Sequence, residues 1–242
     1  MRIPRCYVDQ ALSPGQTLPL GERASAHLVR VLRLAAGDAC VLFNGDGRDY
    51  PATLTLAGKR GVEVAIESMR EVGNESPLRI TLLQGIARGE KMDLILQKAT
   101  ELGVHRVVPV VTERTEVKLD AERGERRLQH WHGVLIAACE QCGRARLPQL
   151  ESPQPLAQAL ISFGAPQAYM LDPDAAQRPA DLPETLDAAT LLVGPEGGLS
   201  PRDVQAAQAA GYRGLRLGPR ILRTETAGLA ALAALQALRG DF

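Results

Sequence analysis

Leu192-Val193-Gly194-Pro195-Glu196-Gly197-Gly198-Leu199-Ser200-Pro201 reads as a buried strand ending at Val193, a turn carrying three glycines, and the start of a helix. Glycine lets the backbone turn tightly and approach a ligand, Ser200 is a good N-cap, and Pro201 suits the first helical position. A second turn of the same kind follows in Leu217-Gly218-Pro219-Arg220-Ile221-Leu222-Arg223-Thr224-Glu225-Thr226. In open α/β sheets, ligands sit beyond the carboxyl ends of the strands at loops of this sort. Upstream, strand patterns at 79–85, 107–111, 168–171, 190–193 and 214–217 alternate with helical patterns at 89–102, 122–142, 155–162, 201–210 and 224–238. The alternation predicts a parallel sheet with helices on both faces, an α/β domain over residues 76–242. In the last helix Leu229, Leu232 and Leu235 form an apolar stripe that fits core or an interface, core being the reading adopted.

Residues 1–75 have a different texture. Short β-rich runs at 18–20, 40–43, 52–56 and 62–66 are separated by Pro14-Gly15, Asn44-Gly45, Asp46-Gly47 and Gly58. Such a pattern predicts a small β-barrel, a common binding module. Its helical pattern, 26–33, sets Leu28, Val31 and Leu32 on one face. The polar stretch 71–77, with Gly73 and Pro77, reads as a linker.

Composition excludes several classes. With 242 residues, 45% hydrophobic and 23% charged, the chain suits one large or two modest globular domains. Its 28 basic and 28 acidic side chains cancel only as a total, because a net +3 over 78–150 and +2 over 191–242 offset −5 over 151–190. Arginine supplies 24 of the 28 cations, and arginine favours bidentate contact with carboxylate or phosphate. Aromatic content of 3% argues against a stacking platform for single strands. No apolar run nears the ~20 residues of a membrane span, and Met1 to Arg5 leads into polar sequence, so a cytoplasmic protein is expected. Four cysteines make no disulfide framework, and neither Cys139 with Cys142 nor His130 with His132 has metal-ligand context, so no metal is expected. A P-loop, a dinucleotide fingerprint and a nucleophile elbow are all missing, which leaves positioning and electrostatics as the catalytic tools.

Seven stretches in order carry a resemblance: Arg2 to Arg5, Arg30 to Arg33, Arg88 to Met92, Gln97 to Gly103, Ala138 to Arg144, Gly194 to Gly198, and Leu217 to Thr226. Together they resemble the bacterial 16S rRNA (uridine-N3) methyltransferase family, RsmE, of the SPOUT superfamily, from Arg2 to the C-terminal helix. The resemblance implies a PUA-like β-barrel for RNA over 1–75 and a SPOUT-type α/β domain over 76–242 tied in a trefoil knot. General topology rules would discard such a knot. It also implies a homodimer acting on a uridine in the decoding region of 16S rRNA or the 30S subunit. S-adenosylmethionine would bind bent in the knot loops, around Leu171, Gly194, Pro195, Glu196, Gly197, Gly198, Leu217, Gly218, Ile221, Leu222 and Arg223.

For that substrate, N3 must lose a proton as it attacks the sulfonium methyl, and charge then spreads to the flanking carbonyls. The site wants a base and a cationic or N–H donor. Glu225 is the candidate base and Arg223 the candidate donor or phosphate anchor, with Glu196 second for the base; alternatively Glu225 serves only the positive end of the last helix. Arg5, Arg30, Arg33, Arg88 and Lys91 are the candidate RNA contacts. Two other classes remain open at this point, a non-catalytic ribosome-assembly factor and an α/β enzyme using another nucleotide.

Overall fold

The computed structural model describes residues 3–58, 61–116, 121–164 and 166–242, so Arg2 of the first motif lies outside the described residues. The chain divides into two compact units, Met1–Glu75 with Ile136–Leu147, and Ser76–Leu135 with Pro148–Phe242.

In the first unit, β1 (Arg5–Tyr7), β2 (Thr17–Pro19), β3 (Ala39–Phe43), β4 (Arg48–Gly58) and β5 (Gly61–Ile66) pair in the order β1-β3-β4-β5-β2, and β6 (Arg70–Glu71) pairs with β4. Alternation buries Tyr50, Ala52 and Leu54 of β4 against Val62, Val64 and Ile66 of β5. A register shift between Leu54 and Leu56 bends the long β4. The expected helix differs in kind. A short α1 (Glu22–Ser25) continues as π-helix over Ala26–Val31, whose wider turn rotates side chains off the 3.6-residue face. Leu28 is buried, while Val31 and Leu32 are 67% and 37% exposed. Residues 136–147 complete this unit: Tyr7 N donates to Glu140 Oε1 at 3.0 Å, and Arg144 pairs with Glu75 at 2.6 Å.

The second unit holds β7 (Arg79–Gly85), α2 (Glu90–Glu101), β8 (Arg106–Val111), α3 (Ala121–Cys142, its last residues from Ile136 counting with the first unit), β9 (Gln149–Leu150) and β10 (Gln154–Pro155). It continues through α4 (Leu156–Ser162), β11 (Ala168–Leu171), β12 (Ala188–Val193), α5 (Pro201–Ala209), β13 (Arg213–Leu215) and α6 (Thr224–Arg239). The strands run parallel in the order β10-β8-β7-β12-β11-β13, with β9 also on β8. Neighbours such as Leu82 and Leu83 face opposite ways and are both fully buried. Leu82 joins a core with Leu96, Trp131 and Leu232, from α2, α3 and α6; Leu83 joins one with Leu160 and Ala207, from α4 and α5. The sheet is therefore buried on both faces, as a parallel sheet requires. Leu232 and Leu235 are core and Leu229 packs against it.

Strand order reverses between β7 and β12, because β8 lies to one side of β7 and β11 beyond β12. The loops leaving these two strands meet there: a Cβ on Gly85 would stand 2.4 Å from Pro195 N, so only glycine lets them touch.

Candidate active site

Three segments converge at that switch point, the end of β7, the loop after β12 and the start of α6, and this is where open α/β sheets bind ligands. The loop after β12 is fixed at both ends. Ser200 caps α5 by accepting from Asp203 N at 3.1 Å while Asp203 accepts from Ser200 N at 3.0 Å, and Gly194 O accepts from Thr224 Oγ1 at 2.6 Å. Between them Gly198 adopts φ +68°, and a Cβ on Gly194 would crowd Leu199 N at 2.9 Å. Thr224 also accepts from Gln84 Nε2 at 3.0 Å, which ties β7 to the start of α6.

A cleft of about 550 Å³ opens between these segments and residues 171–174, with Lys91 reaching in from α2. Of the residues expected to bind a cofactor, Leu171, Gly194, Pro195, Glu196, Gly198, Ile221, Leu222 and Arg223 line it. Leu217 and Gly218 line an adjoining cavity of about 90 Å³ instead, and the Gly197 carbonyl accepts from Arg114 at 3.0 Å. Asp172, Asp174, Thr224 and Lys91 also line the cleft. Sequence reading does not assign them there, although the motif Leu217 to Thr226 contains Thr224.

The charges are concentrated. Lys91 Nζ lies 3.5 Å from Glu196 Oε1 and 3.5 Å from Glu225 Oε2. Glu225 Oε2 is buried without a hydrogen bond. Partial burial works to raise the Glu196 pKa, but the backbone N–H groups of Arg88 and of Glu196 itself, with Lys91, outweigh it and hold the carboxyl below its usual range. A carboxylate held ionised is a poor proton acceptor, which counts against Glu196 as a base. Carboxylates of Asp172, Asp174, Glu196 and Glu225 outnumber the cations Lys91 and Arg223 around the cleft. Such a donor set suits a ligand with cationic groups and an apolar body, for which Leu171, Val193, Ile221 and Leu222 supply the walls.

A profile of the RNA methyltransferase domain matches residues 74–236, and one of the RNA methyltransferase PUA domain matches 20–67. Ribosomal RNA small subunit methyltransferase E of Buchnera aphidicola (from Schizaphis graminum) is 32% identical over 99% of this chain and 98% of its own. The chain belongs to the ribosomal RNA small subunit methyltransferase E family. The Bacillus subtilis member is 30% identical over 96% of each chain. Among solved structures, the Neisseria gonorrhoeae member bound to S-adenosylmethionine superposes with a TM-score of 0.92 at 39% identity over both full chains. A Legionella pneumophila methyltransferase in complex with S-adenosylmethionine gives 0.97 at 40%, again over both full chains. The fold is thus the mixed α/β methyltransferase domain of this family preceded by a PUA-like domain.

The RNA-contact residues fall apart into groups. Arg5 is only 9% exposed; its guanidinium pairs with buried Asp49, donates to Arg144 O at 3.0 Å and lies 4.7 Å from the Phe43 ring centroid. These contacts tie it into the first unit, where it also lines a cavity of about 560 Å³ beside Arg70 and Asn74. Arg30 and Arg33 are exposed, but they do not share a helix face, since the helical segment ends at Val31 and Arg33 takes φ +58°. Arg88 pairs with Glu116, and Lys91 belongs to the cleft. Among the described residues no helix is long and apolar enough to cross a membrane, and no cluster of three metal-ligating side chains occurs.

Proposed function

We propose that this protein transfers a methyl group from S-adenosylmethionine to N3 of a uridine in the decoding region of 16S rRNA, as a cytoplasmic homodimer acting on rRNA or the 30S subunit. Family membership supports the reaction class, and the cleft carries the assignment to these residues: an acid-rimmed, apolar-walled space into which Glu225 turns a buried, unbonded carboxylate oxygen. The proposal extends to the trefoil knot of the SPOUT class, which the family resemblance implies.

When bound, the cofactor supplies an activated methyl. The chain supplies the rest. The loops at 194–198 and 221–223 would hold it, with Leu217 and Gly218 behind them and Gly197 keeping the first loop on Arg114. Glu225 receives the N3 proton, and Arg223, exposed at the start of α6, meets the carbonyl charge or a phosphate. Much of the acceleration comes from holding base and methyl in line. Arg30, Arg33 and Arg88 provide RNA contacts.

Labelled S-adenosylmethionine incubated with unmodified 30S subunits tests this reading. Label should enter 16S rRNA and a reverse-transcriptase stop should appear at one decoding-region uridine, because N3 methylation blocks Watson–Crick pairing. Absence of both label and stop would refute it.

A further inference from the structure

Sequence places Lys91 among the RNA phosphate or base contacts, and the structure puts its ammonium between two carboxylates inside the cleft. A phosphate entering there would meet Glu196 and Glu225 at close range, whereas a neutral uracil would not be repelled. Both Lys91 contacts, at 3.5 Å, are longer than the 2.7–2.9 Å of a strong charge-assisted hydrogen bond. An ammonium has three donors, so capacity remains for a further acceptor. Its placement is also against local helix electrostatics. Lys91 occupies the first turn of α2, where the dipole favours the acidic Glu90 and Asp93 and disfavours a cation. Helix terminus and ammonium together make this corner the positive end of an otherwise acidic cleft.

Resting on the uridine-N3 reading above, we propose that Lys91 is a catalytic residue whose ammonium contacts a uracil carbonyl and stabilises the base as its N3 proton passes to Glu225. In that step the N–H bond breaks, its electron pair forms the N–CH₃ bond, and the C–S bond breaks to leave neutral S-adenosylhomocysteine. The negative charge that would gather on the uracil carbonyls is met by Lys91, and the proton ends on the Glu225 carboxylate. The cation between Glu196 and Glu225 thus serves two purposes: it keeps the carboxylates from repelling each other before substrate arrives, and it turns to the base afterwards.

Single-turnover methyl transfer to unmodified 30S subunits, followed from neutral to alkaline pH, tests this. An opposite charge within ~4–6 Å lowers an acid's pKa by roughly one to three, so Lys91→Met should slow transfer about 10- to 1,000-fold near neutrality. The deficit should shrink as pH rises and N3 ionises unaided. Lys91→Arg should recover much of the rate, and affinities for S-adenosylmethionine and for 30S subunits should stay near those of the unaltered protein. Lys91→Gln, which keeps a donor without the charge, gives the same readout should Lys91→Met fold poorly. Three results would overturn the inference: an unchanged rate, a deficit independent of pH and unrescued by arginine, or weakened 30S binding with a salt slope reduced by about 0.7–0.9, which would mean that the ammonium neutralises a phosphate. No transfer by the unaltered protein would overturn the uridine-N3 reading itself.

Discussion

Thr224 donates its hydroxyl proton to the carbonyl of Gly194 at 2.6 Å, thirty residues away along the chain. The same oxygen accepts from Gln84, so one side chain joins the loop after β12, the start of α6 and the end of β7. Thr224→Val keeps the shape but leaves the Gly194 carbonyl and one Gln84 amide N–H without this partner, while Gln84 Nε2 keeps its bond to Gly85 O at 3.0 Å. A loss of about 1–3 kcal/mol is expected from each stranded group, read as a lower urea midpoint, with weaker S-adenosylmethionine binding by calorimetry. Thr224→Ser should retain most of both.

Gly194 has no room for a side chain. Its Cβ would lie 2.9 Å from Leu199 N and 3.0 Å from Gly198 C, all backbone that cannot swing aside. Gly194→Ala should therefore displace the loop and cost cofactor affinity more than stability. Isothermal titration beside thermal melting separates the two, and unchanged affinity would count against this loop as the cofactor cradle.

Removing the proposed base should spare binding. Glu225→Gln is expected to lower kcat about 10²–10⁴-fold with little change in cofactor affinity. Glu196→Gln should act differently, because Glu196 is held ionised by backbone N–H groups and Lys91. Its expected mark is a raised KM, and an equal kcat loss in both variants would dissolve the distinction between them.

Exposed Arg30 and Arg33 carry the RNA prediction for the first unit. Arg30→Ala with Arg33→Ala should weaken rRNA binding and flatten its salt dependence by about 0.7–0.9 for each phosphate no longer neutralised, leaving cofactor binding intact. Filter binding across a salt series measures it.

Burial pushes the thiols of Cys6 and Cys40 up to about 12. At pH 8 roughly one such thiol in ten thousand is ionised, so iodoacetamide should leave both unmodified until the protein unfolds. A folded pKa above the unfolded one means this stabilisation is complete below about pH 9 and is lost as pH climbs toward 12, at about 1.4 kcal/mol per thiol per pH unit. Denaturation of Cys6→Ala at alkaline pH should show a shallower decline.

Periodicity makes the second unit legible. The pattern at 89–102 with Gly103 marks a helix that does stop before a glycine at φ +76°, and Ser200-Pro201 does begin α5 with a side-chain cap. What escapes are relations that no local pattern encodes. Arg5 looks like any terminal arginine, and only the fold reveals Asp49 as its buried partner, 44 residues on. Lys91 and Glu225 meet because strand order reverses between β7 and β12, a long-range fact. The segment 26–33 departs from its pattern for a local reason, since a π-turn has a period that a 3.6-residue wheel misplaces.

The first unit also has a timetable. Its last portion, Ile136–Leu147, is made about seventy residues after Glu75, and at 5–20 residues per second a ribosome needs roughly 4–14 s to deliver it. Until then Arg5 and the Tyr7 N–H lack the Arg144 carbonyl and the Glu140 carboxylate. Synthesis order therefore makes the N-terminal sheet wait, half-finished, for a helix encoded inside the catalytic portion, and a chain cut at residue 75 would never receive it.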